Sequence, residues 1–175
     1  RITPTKGLAE TVRAANMAGA QLDIVGIVED EEYFASQVTP YLSPSITYIG
    51  HLTGAALKRV VCNAKAVIVT PMWEEPFGLV AAEAMSCDVP VIAFDRGALA
   101  EVLGECGTLV PAGDVEALAQ AMRAHDNANH SGNRARALRC FSLEAMVGGY
   151  EQAYAAAMAG AALDAASASS ASSTP

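Results

Sequence analysis

The feature that most restricts the fold of this chain is a regular alternation of short apolar segments with amphipathic ones. Segments rich in β-branched residues predict buried parallel strands at 22–28, 46–49, 66–69, 89–94 and, more briefly, 108–110. Between them, apolar residues recur at helical spacing. This alternation is typical of an α/β fold with a Rossmann-like, doubly wound parallel sheet, in which ligands bind at the carboxyl ends of the strands.

The helices between the strands carry start and stop signals. A first helix is predicted over 7–18, with Gly19 as its stop. The expected caps of later helices are Thr53, Asp114 and Ser142. We expect one domain over 1–160, followed by a disordered tail over 161–175, because Ala and Ser bury too little apolar surface to offset the entropy of ordering.

Composition excludes several classes of function. The 175 residues are 52% hydrophobic and 17% charged, as in globular chains. A net charge of -8 and a pI near 4.8 give no electrostatic basis for sequence-blind binding to nucleic acid or anionic lipid. No apolar run reaches the roughly 18 residues of a membrane span, and no signal peptide opens the chain. We therefore expect a cytoplasmic protein without a nucleic-acid partner or an integral membrane segment.

The cysteines show no pattern of a metal site or a redox pair. Cys62, Cys87, Cys106 and Cys140 are widely spread, without a Cys-x-x-Cys pair or a nearby histidine at ligand spacing. We therefore expect reduced thiols and no metal.

The segment after the third predicted strand holds the residues best suited to chemistry. It reads Thr-Pro-Met-Trp-Glu-Glu-Pro over 70–76, and a helix is expected to start near Phe77 or Gly78. Gly78 lets the backbone approach a ligand, and the N–H groups of a first helical turn favour a phosphate. Glu75 lies before the helix and Glu83 inside it, so they can flank one ligand. A lone pair of glutamates is more simply a helix-end charge and a solvated residue, but the apolar neighbours of Glu83 favour a function.

The full string Trp-Glu-Glu-Pro-Phe-Gly-Leu-Val, followed by Glu-Ala-Met after Ala81 and Ala82, resembles the Glu-x7-Glu motif of glycosyltransferase family 4 and its retaining GT-B relatives. The resemblance implies the C-terminal, nucleotide-sugar-binding half of a GT-B glycosyltransferase. It implies that Glu75 holds the hydroxyls of the donor sugar and that Glu83 binds the ribose. The backbone amides implied for the diphosphate are those of Phe77, Gly78 and Leu79.

A second match opens the chain. Arg1 through Gly7 resembles the family's Arg-x4-Lys-Gly loop, in which the cations, here Arg1 and Lys6, bind the donor phosphates. Positioned cations suit this role because a departing nucleoside diphosphate gains negative charge in the transition state. Alone, the two cations would be read as solvated. The segment 48–52 resembles the family's loop at the nucleobase, so His51 and Leu52 are expected base contacts, and the resemblance extends to about Tyr154.

The chain departs from the family pattern at two residues and in what its sequence contains. Asp88 stands where the family usually has Gly, and Ala100 where Pro is common. Asp tolerates left-handed backbone, so the turn at Asp88 should persist. The family's acceptor-binding N-terminal domain and the strand that normally precedes Arg1 are absent from this sequence. Because that strand is central in a doubly wound sheet, its two neighbours are expected to have unpaired edges.

These residues lead to a functional hypothesis. We expect a donor-binding domain that transfers a sugar from a nucleoside-diphosphate sugar to an acceptor, when joined to an N-terminal domain, with retention of configuration. No metal or further cofactor is expected, and Arg1, Lys6 and Glu75 are the expected catalytic residues. The isolated fragment should be an inactive hexosyltransferase-like enzyme.

Two alternatives remain open. One is a glycoside hydrolase that uses Glu75 and Glu83 as its acid and nucleophile, with carboxyl groups roughly 5 to 9.5 Å apart. The other is a non-catalytic nucleotide-binding module that retains the fold.

Overall fold

The structure is a computed structural model that describes residues 1–125 and 132–158. The tail predicted over 161–175 lies outside the described residues. By Cα proximity the chain divides into two units, Arg1–Ala137 and Leu138–Pro175.

The first unit alternates strands and helices, as the sequence predicted. The strands are β1 (Leu22–Val25), β2 (Ile46–Gly50), β3 (Val67–Val69), β4 (Val91–Phe94) and β5 (Thr108–Val110). Its α-helices are α1 (Leu8–Ala18), α2 (Glu31–Tyr33), α3 (Gly54–Cys62), α4 (Leu79–Ser86), α5 (Leu99–Leu103) and α6 (Val115–Ala124). Helix α7 (Asn133–Phe141) crosses the boundary between the units, and α8 (Leu143–Met158) belongs to the second. Shorter turns of 3-10 helix lie at Pro4–Lys6, Thr39–Tyr41 and Gly104–Cys106, and a π-helical turn lies at Phe34–Val38.

All of the strand pairs are parallel, which confirms the predicted α/β class. β1 pairs with β2, and β4 lies between β3 and β5. The strands form two hydrogen-bonded sheets because β1 and β3 are not paired with each other. β1 ends at Val25, before the predicted residue 28, since Val28 pairs with Ile2 in an isolated parallel bridge.

Helix α1 packs against both sheets through two clusters of buried residues. Val12 and Ala15 belong to a cluster with residues of β1 and β2. Ala14 lies in a second cluster with Phe94 of β4 and Leu118 of α6. The segment that leads into α1 is therefore held where the two sheets meet.

The predicted caps differ in what their side chains do. Gly19 adopts a left-handed conformation (φ 66°) and stops α1, as predicted. Asp114 accepts a hydrogen bond from the backbone N–H of Ala117 at 2.8 Å. Thr53 occupies the N-cap position of α3 without a side-chain cap hydrogen bond. Ser142 Oγ accepts from the backbone N–H three residues later at 3.1 Å.

The prediction of reduced thiols is wrong for one pair of cysteines. Cys62, the last residue of α3, and Cys87, just after α4, form a disulfide with Cα atoms 5.1 Å apart. The pairing depends on how the two helices pack, which a sequence separation of 25 residues does not reveal. Cys106 and Cys140 are free.

Most of the described part of the second unit is helix α8. Large apolar and aromatic side chains are exposed on this helix, among them Leu143, Met146, Tyr150 and Tyr154. The rings of Tyr150 and Tyr154 stack with centroids 6.2 Å apart. In the part of the chain that the structure describes, no helix is both long and apolar enough to cross a membrane.

Candidate functional site

The segments that follow β1 and β3 meet at the N-terminal residues of the chain. Ile2 pairs with Val28, which follows β1. Three residues later, the carbonyl oxygen of Thr5 accepts a hydrogen bond from the backbone N–H of Met72, which follows β3, at 2.8 Å. The carboxyl ends of strands from both sheets therefore lie beside the N-terminal segment, where ligands bind in doubly wound folds.

The turn formed by Lys6 and Gly7 packs against Thr70, which directly follows β3. Gly7 is left-handed (φ 66°), and a Cβ at this position would collide with the carbonyl oxygen of Thr70. Thr70 Oγ1 donates to the Gly7 carbonyl at 3.0 Å and lies 2.7 Å from Oγ1 of the buried Thr11. These contacts fix the backbone of Lys6 next to the loop after β3.

Lys6 and Glu75, both predicted site residues, form an ion pair. Lys6 Nζ donates to Glu75 Oε2 at 2.9 Å. Trp73 Nε1 donates to the same oxygen at 3.1 Å, and Lys6 Nζ lies 5.0 Å from the centroid of the Trp73 ring. The Glu75 side chain is only 13% exposed, so its carboxylate is held in a partly desolvated place. Sequence reasoning assigned no role to Trp73.

A second set of hydrogen bonds holds the backbone of this loop. Glu74 accepts from Arg96 Nη1 and from the backbone N–H of Gly97, both at 2.9 Å. The backbone N–H of Ala98 donates to the Glu75 carbonyl at 2.8 Å. The Arg96 hydrogen bond, and then that of Gly97, hold the pKa of the exposed Glu74 carboxyl below its usual value.

Gly97 lies in the loop after β4 and permits its close approach to the loop that contains Glu75. Its backbone is left-handed (φ 58°), and a Cβ there would collide with the backbone of Glu75. No sequence pattern indicates the contact between Glu74 and Arg96, because the two residues lie 22 positions apart.

Helix α4 starts at Leu79, with Gly78 (φ 89°) at its N-cap. A Cβ on Gly78 would lie 3.8 Å from Glu75 Cγ, so the start of the helix adjoins the Glu75 side chain. The first N–H groups of an α-helix have no intrahelical acceptor and are open to a ligand. The preceding residue, Phe77, is half-buried.

The apolar neighbours of Glu83 in the sequence do not bury its side chain. Glu83 is exposed on α4, together with Leu79 (68% exposed) and Val80 (53%), whereas Ala84 and Met85 are buried. A carboxylate on the solvent face needs no special partner. The apolar neighbours of Glu83 therefore do not place it in the core, and its exposed position leaves the carboxylate accessible to a ligand.

Both predicted phosphate-binding cations line one cavity of about 400 Å³. Its lining residues are Arg1, Thr3, Thr5, Lys6, Glu29 and Trp73. Arg1 Nε lies 3.8 Å from Glu29 Oε1, and both side chains are well exposed, so this ion pair is weak.

The expected base contacts lie elsewhere on the same unit. His51 and Leu52 follow β2 and precede α3, with His51 exposed and Leu52 half-buried. Among the described residues, no hydrogen bond or ion pair links them to Lys6 or Glu75. Within residues 1–125 and 132–158, no group of three or more His, Cys, Asp and Glu side chains is arranged to hold a metal ion.

The parallel α/β fold, with its residues of interest at the strand ends, is that of a GT-B glycosyltransferase domain, the class that the sequence predicted. The sequence model for the family described as Glycosyl transferases group 1 matches residues 5–125, and the chain belongs to this family.

Comparison with known proteins agrees with this assignment. The chain is 41% identical over 104 residues to the phosphatidyl-myo-inositol mannosyltransferase of Mycobacterium leprae, in an alignment that covers 58% of this chain and 27% of that protein. It is 32% identical over 125 residues to the glycogen synthase of Mycobacterium tuberculosis strain H37Rv, covering 69% of this chain and 30% of that protein.

A solved structure extends the similarity to the fold. AviGT4, a glycosyltransferase involved in avilamycin A biosynthesis, superimposes with a TM-score of 0.79 at 26% identity, covering 91% of this chain and 49% of that one. The chain therefore spans about half the length of this solved structure and about a quarter to a third of the curated relatives.

Proposed function

We propose that the chain is the donor-binding domain of a retaining glycosyltransferase. In the complete protein it would bind a nucleoside-diphosphate sugar and transfer the sugar to an acceptor that another domain holds. The observation that carries the proposal is the ion pair of Lys6 and Glu75, which sets a cation and a carboxylate 2.9 Å apart beside the start of α4. A glycosyl diphosphate presents the complementary groups, an anionic diphosphate joined to a sugar with hydroxyl donors.

The diphosphate would bind on the side of Lys6 and the α4 N-terminus. Lys6 supplies three N–H donors, and the amides of Phe77, Gly78 and Leu79 lie where the helix dipole favours an anion. Arg1 lines the same cavity as Lys6 and adds a second cation. Because the leaving diphosphate gains charge as the sugar departs, these donors stabilise the transition state more than the bound donor.

The sugar would bind on the side of Glu75. Both described hydrogen bonds to this carboxylate, from Lys6 and Trp73, end on Oε2. Among the described residues Oε1 has no hydrogen-bond donor, so it can accept from a sugar hydroxyl. A carboxylate that is already oriented contributes more to binding than a freely rotating one.

The nucleoside would extend toward Glu83, His51 and Leu52. Glu83 is exposed on α4 and would accept from the ribose hydroxyls. His51 and Leu52 follow β2 and would contact the base. The Anabaena protein Alr3699/HepE, which has the same fold at a TM-score of 0.74 and 22% identity, was solved with UDP-glucose. This supports a nucleotide sugar as the ligand class.

Retention would follow from attack of the acceptor on the face that the diphosphate leaves. No protein carboxylate is assigned as a nucleophile, and no metal is required, since Lys6, Arg1 and the helix amides offset the developing charge. A glycoside hydrolase that uses Glu75 and Glu83 is less well supported, because Lys6 and Trp73 already engage the Glu75 carboxylate and the family is a transferase family.

Turnover by the complete protein tests the proposal. Lys6→Ala and Glu75→Ala should each lower the transfer rate at least about tenfold, since each removes a charge-assisted hydrogen bond. Lys58→Ala, which removes an exposed cation on α3, is the matched control and should leave the rate unchanged. Proton NMR of the fresh product should show the anomeric configuration of the donor. Near wild-type rates for both variants, or an inverted product, would contradict the proposal.

A further inference from the structure

We propose that Trp73 is a positioning residue that orients the Glu75 carboxylate toward the donor sugar, an inference that rests on the proposed function. Trp73 is the single tryptophan of this chain, and 42% of it is exposed. A large aromatic side chain at the surface is not explained by packing in the core. Its contacts are instead with Lys6 and Glu75, and it lines the cavity next to them.

The indole group acts on one oxygen of the carboxylate. Trp73 Nε1 and Lys6 Nζ both donate to Glu75 Oε2, at 3.1 and 2.9 Å. Two donors on one oxygen fix the rotation of the carboxylate, and Oε1 remains available for a ligand. A glutamate has a flexible side chain, so its orientation before binding reduces the entropy lost when the sugar binds.

The two donors are not equivalent once a donor substrate is present. Lys6 carries an ammonium group that a diphosphate also attracts. A phosphate oxygen therefore competes with the Glu75 carboxylate for the hydrogen bonds that Lys6 donates. The indole N–H carries no charge and is already directed at Glu75. Trp73 therefore keeps Glu75 in place when Lys6 turns to the phosphates, and its hydrogen bond matters for the sugar and not for the nucleotide.

The tryptophan also holds Lys6 through its ring. Lys6 Nζ lies 5.0 Å from the ring centroid, within the range of a cation–π contact. The ring and the N–H group thus have separable roles, toward the cation and toward the carboxylate. A change that removes only the N–H group should leave the position of Lys6 over the Trp73 ring unchanged.

The test replaces Trp73 with β-(3-benzothienyl)alanine, in which a sulfur atom takes the place of the indole N–H. Because the chain has one tryptophan, incorporation in a tryptophan auxotroph changes this position alone. Calorimetry of the full chain compares UDP, GDP and ADP with UDP-glucose, GDP-mannose and ADP-glucose. We compare each diphosphate with its sugar nucleotide, for the pair that binds the unmodified chain. The affinity for the sugar nucleotide should fall about five- to tenfold, because Glu75 must then be ordered when the sugar binds. The affinity for the diphosphate should stay within about twofold.

A second variant distinguishes the loss of the N–H group from a general loss of folding. Trp73→Phe retains a ring and lacks the N–H group, and it should show the same selective loss, with cooperative thermal unfolding recorded for each protein. An equal loss for both ligands, an unchanged affinity for the sugar nucleotide, or failure of both variants to fold would overturn the role of Trp73. If the unmodified chain binds none of the six ligands, the proposed function itself fails and this inference fails with it.

Discussion

Gly7 and Thr70 fit together so closely that a side chain on Gly7 would collide with the main-chain carbonyl oxygen of Thr70. The pair connects the turn before α1 to the end of β3 and so sets the position of Lys6. We predict that Gly7→Ala lowers the free energy of unfolding by about 3 kcal/mol or more, because left-handed strain and a backbone collision add. Urea unfolding measures the change.

Gly19→Ala is the matched control. Gly19 has the same φ of 66°, but nothing lies within 4 Å of its Cβ position. This variant should lose only about 1 to 2 kcal/mol, the cost of a left-handed alanine. Equal losses for the two variants would show that the contact with Thr70 contributes nothing.

The hydrogen bonds of Glu74 predict a pH dependence of stability. Arg96, and then the Gly97 N–H, hold the folded-state pKa of Glu74 below its usual value of 4.5. A lowered folded-state pKa gives stability that is fully present above the unfolded value and is lost as the pH falls through the folded value. The Tm difference between wild type and Glu74→Gln should therefore be present at neutral pH and disappear in acid below the folded pKa.

An NMR titration of the Glu74 side chain gives an independent measurement. Arg96→Met removes the larger of the two causes, the side-chain hydrogen bond, so the Glu74 pKa should move back toward 4.5 in this variant. A Tm difference that does not change with pH, or a Glu74 pKa that is the same with and without Arg96, would contradict the account.

Asp88 adopts a left-handed conformation (φ 61°) at a position where the family usually has Gly. Its Oδ1 accepts from the backbone N–H of Arg134, in the first turn of α7, at 3.1 Å. We predict that Asp88→Ala lowers the free energy of unfolding by about 1 to 2 kcal/mol, because it keeps the strain and removes the acceptor. Asp88→Asn keeps an acceptor oxygen and should remain close to wild type.

Asp88→Gly separates the two effects. Glycine relieves the backbone strain but provides no acceptor for Arg134, so its stability should lie between those of the Asn and Ala variants. Thermal unfolding ranks the three proteins. If the Ala variant is as stable as wild type, the hydrogen bond to Arg134 does not contribute.

The disulfide between Cys62 and Cys87 predicts a thiol count. The unfolded, unreduced chain should show two reactive thiols, those of Cys106 and Cys140, and the reduced chain four. Reduction should lower the free energy of unfolding by about 3 kcal/mol, since the crosslink spans 25 residues of the unfolded chain. Cys140→Ser, at an exposed free thiol, is the control and should leave the effect of reduction unchanged. Four reactive thiols before reduction would contradict the pairing.

Local signals in the sequence predicted the order of strands and helices. They also indicated Lys6 and Glu75 as candidate site residues, and the structure places these two side chains in one ion pair. Alternation of apolar segments depends on neighbouring residues, and so do the caps at Gly19 and Asp114. The Lys-Gly and Glu-x7-Glu patterns are also local, which is why they could be found before the fold was known.

The relationships that the sequence did not reveal depend on the packing of distant segments. The contact of Glu74 with Arg96 and the disulfide between Cys62 and Cys87 join loops and helices whose spacing carries no signal. The sequence does not predict which side of α4 Glu83 faces, because nearly all of α4 is apolar and its periodicity does not show which side faces the core.

We propose that a nucleoside-diphosphate sugar binds at Lys6 and Glu75, and Trp73 fluorescence provides a direct test. The single tryptophan of the chain contacts both residues, so a ligand there should change its emission. We predict a saturable change with UDP-glucose, GDP-mannose or ADP-glucose, with an affinity about tenfold weaker in Lys6→Ala and unchanged in Lys58→Ala. No change with any of the three sugar nucleotides, or equal affinities for wild type and Lys6→Ala, would contradict it.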